Sequence, residues 1–195
     1  MKNNRNMTRY IAICAMMFAI TTLMAFTPLG TIPLVVVNAS VAFLPTIVSA
    51  IILGPVAGII VGTFAGLMSF LRSILQPTTI LTPYFQNPMV SVLPRATIGI
   101  TVYFMYRILK NTELPQKLKI GISAAVGSIT NTALVLFMLY VFYASDMIAI
   151  GVAPNGAVTF LMSIAATNGI AELIVNTLLA VIVVTALQKA GVKKL

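Results

Sequence analysis

Histidine is absent from this 195-residue chain, cysteine occurs once, and only three residues are acidic. Each shortage excludes something. With no histidine and no second thiol, a transition-metal site has almost no ligands to draw on, and an intramolecular disulfide cannot form. Cys14 follows Ile13, where a lipoprotein signal would want a small residue, so it reads as a packing residue. No Ser–His or Cys–His pair is available, no carboxylate pair falls at one level, and no phosphate-cradling glycine loop precedes a lysine. The chain does not read as an enzyme and implies no cofactor or metal. If it concentrates a solute, a gradient or another subunit must drive the process.

Apolar residues dominate what remains. They make up 59% of the chain, and the mean hydropathy is +1.05. Apolar runs of about 20 residues or more predict an all-α polytopic membrane protein, and strands alternating as in a barrel are missing. Six spans use up the chain as one integral membrane domain, at roughly 7–26, 36–53, 56–75, 89–109, 120–144 and 156–188. The basic start (Lys2, Arg5, Arg9) before an apolar run imitates a signal peptide, but reads here as the head of the first span.

The net charge of +9 does not point to nucleic acid, because the basic residues cluster beside the apolar segments, where they set topology. The amino tail supplies three, the connection between the fourth and fifth spans four (Arg107, Lys110, Lys117, Lys119) and the carboxy tail three (Lys189, Lys193, Lys194). With six spans all ten share a side, which places both termini in the cytoplasm. Arg72 and Arg95 lie toward the opposite face. The three irregular connections then face outward together.

The first of these, TPLGTIPLVVVNAS, is broken by Pro28, Gly30 and Pro33 yet apolar, which suits a lid or re-entrant piece. Pro45 predicts a kink in the second span. The second connection, QPTTILTPYFQNP, brings Tyr84 and Asn87 as candidates to close over a ligand. The third runs from Asp146 to Asn155. Ala15 and Ala19 form a small-residue pair on one face of the first span, and Gly58, Gly62 and Gly66 mark the third, where they permit close helix contact.

The last span carries Asn168, Glu172 and Asn176 at intervals of four, on one helical face. A carboxylate at membrane depth costs about 2.5–3.5 kcal/mol on insertion scales and marks a functional site with a partner to be found. Asn131, Asn168 and Glu172 can share a level near the midplane, with Arg95 somewhat above. Two readings are open for Arg95 and Glu172. They form an ion pair that fixes the bundle, or Arg95 holds an anionic ligand while Glu172 and the asparagines bond its neutral part. Arg72 either contacts headgroups or joins that site.

AMMFA in the first span, the Pro/Gly-rich apolar loop after it and LGPVAGIIVGTFAGL at the junction of the second and third spans carry a resemblance over essentially the whole chain. It resembles the substrate-binding S components of energy-coupling-factor (ECF) vitamin transporters. TPLGTIPL, LPRATIG, GSITNT and NGIAELIVN look most like the pantothenate-type branch. The resemblance implies a multi-pass protein of the bacterial cell membrane that binds a vitamin beneath its outward loops. It also implies that the Ala15–Ala19 face docks on a transmembrane coupling subunit driven by two cytoplasmic ATPase subunits. Pantothenate suits the inventory: Arg95 for its carboxylate, Asn131, Asn168 and Glu172 for its hydroxyl and amide groups, and Tyr84 and Asn87 above. Another vitamin, such as riboflavin or a pyridoxine relative, or a stand-alone proton-coupled carrier with Glu172 as relay, is the alternative.

Overall fold

The computed structural model describes residues 2–32, 39–77, 79, 81–153 and 155–190. Residues 36–38 of the expected second span, Pro33 of the apolar loop, and Lys193 and Lys194 lie outside them. The described chain is a bundle of helices running up and down in sequence. Helix α1 spans Lys2–Phe26, α2 Leu44–Ile52, α3 Pro55–Leu75, α4 Pro88–Ser91, α5 Leu93–Lys110, α6 Gln116–Ala149, α7 Ala157–Ile164 and α8 Ile170–Lys189. The segments Pro55–Leu75, Pro88–Lys110, Gln116–Ala149 and Ala157–Lys189 are each long and apolar enough to cross a membrane, and α1 adds the shorter apolar run Tyr10–Phe26. Large apolar side chains such as Leu23, Leu75, Ile108, Phe137 and Ile182 stay exposed on the outside of the bundle, as a lipid-facing surface requires.

Three expectations are corrected. Among the described residues of the expected second span, only Leu44–Ile52 is helical, about 14 Å at 1.5 Å per residue, too short to cross a bilayer alone. The segment ahead of it is extended instead: strands β1 (Thr31–Ile32) and β2 (Ala39–Ser40) pair antiparallel, Thr31 opposite Ser40. Pro45 does not kink this helix but begins it, in the first turn, where a missing N–H costs nothing. The third connection is shorter than expected, because α6 continues through Asp146 to Ala149, and Gly151 and Gly156, both with positive φ, make the turn into α7. A single turn of π-helix, Ala165–Gly169, joins α7 to α8, so the last span is continuous but carries one bulge.

The core has two parts. One surrounds α2, every residue of which is buried, and includes Phe43, Ile47, Ile51, Val61, Ile98, Val102 and Val184. The other lies at the loop end, where Leu81, Val90, Leu139, Met147, Ala153 and Ile164 pack together. Helix α3 meets α5 along its glycine edge. A Cβ on Gly58 would lie 2.9 Å from the Gly99 Cα, one on Gly62 2.3 Å from the Arg95 carbonyl oxygen, and one on Gly66 2.5 Å from the Val92 Cα. The glycines at four-residue spacing thus let the two backbones touch where α5 begins.

Gly62→Leu should push α5 away from α3 at Arg95. Overpacking of this kind costs about 1–3 kcal/mol, so the melting temperature in detergent should fall by about 2–10 °C. Leu67→Ala on the same helix, at an exposed position, should leave it nearly unchanged.

Candidate functional site

Arg95 sits in the first turn of α5, just past the break at Val92 that separates α4 from α5. Its side chain folds back: Nη1 donates to the Val90 carbonyl at 2.9 Å, and the guanidinium lies over the Phe85 ring, 5.4 Å from its centroid. Buried to 7% exposure, the charge is held by a carbonyl and a π face rather than by water. Across from it, α6 presents Asn131 and Thr132, and the π-turn and α8 present Asn168, Gly169 and Glu172. The extra residue of the π-turn comes where Gly169 packs on the Thr132 methyl, 3.0 Å from where a Cβ would stand.

These groups line one cavity, together with Ser40, Leu81, Phe85, Val135, Leu139 and Ile164. Its walls are largely apolar, with a few convergent polar groups. Asn131 Oδ1 is buried without a hydrogen-bond partner among the described residues, and an orphaned polar atom at a cavity wall is an invitation to a ligand or water.

Glu172 is engaged with the hairpin. One carboxylate oxygen accepts the Ser40 backbone N–H at 2.8 Å, and one turn further along α8 Asn176 Nδ2 donates to the Ser40 carbonyl at 3.2 Å and to the Glu172 carbonyl at 2.9 Å. Both backbone groups of Ser40 are therefore taken by α8. Asn131 and Thr132 stand beside the same carboxylate, and Arg95 acts on it electrostatically. Arg95 and Glu172 face a common space without a direct ion pair among the described residues. Of the two readings open for them, the paired one is not what the structure shows.

Of the predicted site residues, Arg95, Asn131, Asn168 and Glu172 come together. Arg72 does not join them; it lines a smaller neighbouring cavity that shares Ser40 and Arg95 with the first. Tyr84 and Asn87 were expected over the ligand, but neither lines the cavity. Tyr84 stacks on Tyr143 with ring centroids 4.7 Å apart. Asn87 donates to the Tyr143 hydroxyl at 3.1 Å and caps α4 by accepting the Met89 N–H at 3.0 Å. Burial, helped by nearby Asp146 and Tyr143, pushes the Tyr84 hydroxyl above its usual range, so it stays protonated. The pair anchors the loop on α6, and the loop turns Leu81 and Phe85 to the cavity in their place. Ser40, Phe85 and Thr132 were missed by sequence reasoning. Thr132 lies in the polar patch GSITNT, which was a usable signal; Ser40 acts through its backbone, which leaves none. Ala15 and Ala19 are exposed on α1.

Apolar helices that wall off a polar, charge-bearing cavity at one end of a bundle define a membrane-embedded solute-binding protein. The chain belongs to the family of ECF transporter substrate-specific components, whose family model matches residues 9–184. It is similar to the pantothenic acid transporter PanT of Lactococcus lactis subsp. cremoris (strain MG1363), at 32% identity over 168 residues, 79% of this chain and 80% of that protein. It is also similar to the pantothenate transporter PanT of Leuconostoc mesenteroides subsp. mesenteroides, at 29% identity over 209 aligned positions, 99% of this chain and 100% of that one. It is thus a multi-pass membrane protein and a transporter component rather than an enzyme.

Asn176→Leu removes the bond to the Ser40 carbonyl and an unsatisfied buried oxygen with it. Hydrogen exchange at the Ser40 amide should accelerate about two- to tenfold, the range of one net hydrogen bond. Unchanged exchange would show that α8 does not hold the hairpin down.

Proposed function

We propose that this chain captures pantothenate from outside the cell and presents it to a transmembrane coupling subunit driven by two ATPases. The observation that carries the reading is the convergence of Arg95, Asn131, Asn168 and Glu172, from three separate spans, on one cavity. Both relatives are named for pantothenate, a substrate that agrees with that set of groups. Pantothenate is a carboxylate joined through an amide to a chain with two hydroxyls. Arg95 supplies charge-assisted hydrogen bonds to the carboxylate. The free oxygen of Asn131 accepts from hydroxyl or amide protons, and Thr132, Asn168 and Glu172 complete the polar wall. The apolar walls (Leu81, Phe85, Val135, Leu139) take the hydrocarbon part.

The basic connection between α5 and α6, the start of α1 and the end of α8 lie at the bundle end opposite the hairpin. By the positive-inside rule they face the cytoplasm, and the cavity opens toward the exterior. The hairpin then serves as the lid, and Glu172 and Asn176 hold it by the backbone of Ser40. With one oxygen on Ser40, Glu172 is tied to the lid and poorly placed as the relay of a stand-alone proton-coupled carrier. On the lipid side, exposed Ala15 and Ala19 leave α1 able to receive another helix at close range.

Titration calorimetry on the purified protein should give sub-micromolar pantothenate binding. Arg95→Ala should weaken it about 10- to 100-fold, as expected for loss of a hydrogen-bonded charge. Unchanged affinity would remove Arg95 from the site. A second variant, Ala15→Leu with Ala19→Leu, should keep the affinity but abolish co-purification with the coupling subunit and uptake into cells; full retention of both would place the docking face elsewhere.

A further inference from the structure

The cavity beside the first one has its own chemistry. Arg72 and Ser69 of α3 contribute to it, and Ser40 and Arg95 are the walls it shares with the larger cavity. Arg72 occupies the last turn of α3, half-buried. Among the described residues its guanidinium has neither a hydrogen-bond acceptor nor an ion pair. Nor does the chain hold an acidic side chain in reserve for it. The protein has three: Glu113 lies in the connection at the opposite end, Asp146 is exposed on α6, and Glu172 is bound to Ser40 in the larger cavity. A half-buried cation with five N–H donors and no counter-charge is costly unless an anion arrives.

The two chambers are therefore electrically unlike. The larger sets Arg95 against Glu172, one charge of each sign. The smaller sets Arg95 beside Arg72, two positive charges with no negative one. An elongated ligand with one anionic end and one hydroxyl-bearing end is oriented by that difference. We propose that the Arg72 chamber is the carboxylate pocket of the binding site. The ligand lies across Ser40 and Arg95, its acid group facing both guanidinium groups and its hydroxyl end among Asn131, Thr132 and Asn168. Arg72 is then a specificity residue, selecting the acid over the corresponding neutral alcohol. This assignment rests on the capture of pantothenate proposed above. The same oxyanion chemistry belongs to a lipid phosphate, since Arg72 stands near the end of its helix.

Pantothenate and pantothenol, which carries a hydroxymethyl group in place of the carboxylate, are titrated in parallel against the wild-type protein, Arg72→Gln and Arg72→Lys. The wild type should prefer the acid by about tenfold or more, the worth of a charge-assisted contact. Arg72→Gln should weaken pantothenate by a similar factor while leaving pantothenol within about threefold, so that the preference collapses. Arg72→Lys, which keeps the charge but not the planar fork, should fall between them. Equal loss for both ligands would make Arg72 structural and overturn the assignment. So would no loss for either. An effect seen only in nanodiscs containing phosphatidylglycerol, and not in lipid-free maltoside detergent, would give the guanidinium to a lipid phosphate and overturn it as well. Failure of the wild type to bind pantothenate at all would instead bring down the underlying reading, and this assignment with it.

Discussion

A carboxylate in a membrane span has to be satisfied by something, and here it is satisfied by backbone. Glu172 accepts the Ser40 N–H, and Asn176 takes the Ser40 carbonyl. In a medium without water each of those groups is costly when unpaired, so the strand and the helix need each other. The cavity owes its shape to this contact, because Ser40 is at once part of the large chamber and the partition from the small one. Removing the carboxylate would orphan the amide, and removing the hairpin would leave a bare charge. Neither side of the contact is independent of the other.

The opposite wall is made rigid by different means. The glycine edge of α3 brings its backbone against α5 where Arg95 begins its side chain. The side chain is then bent back onto the Val90 carbonyl and covered by Phe85. Tyr84, Asn87 and Tyr143 hold the loop that carries Phe85. A cation fixed in this way loses little freedom when an anion reaches it, and pre-organisation of that kind strengthens binding without additional contact area.

Much of this was readable in the sequence, for a reason that also sets its limits. Arg95, Asn131, Asn168 and Glu172 stand out because polar residues in apolar runs are expensive, and three helix periodicities are enough to bring them to one level. The small residues of α3 were legible on the same grounds. Loops offer no such contrast. Tyr84 and Asn87 looked as suitable as any for ligand contact, yet packing against Tyr143 turned them aside and turned Phe85 and Leu81 inward. Ser40 contributes a backbone amide that every residue but proline has. Pro45 was read as a kink because hydropathy alone cannot tell a span that is helical throughout from one whose helix starts only at Leu44. Nor does any residue pattern announce the π-turn at Ala165–Gly169.

Helix α6 runs for 34 residues, about 50 Å, whereas the hydrocarbon layer is about 30 Å thick. It must lean, or carry its ends well into the headgroup layers. Leaning moves Asn131 and Thr132 relative to the spans on either side, and Tyr143 with the loop it anchors. Where the helix leans, the thickness of the surrounding bilayer therefore bears on the shape of the cavity.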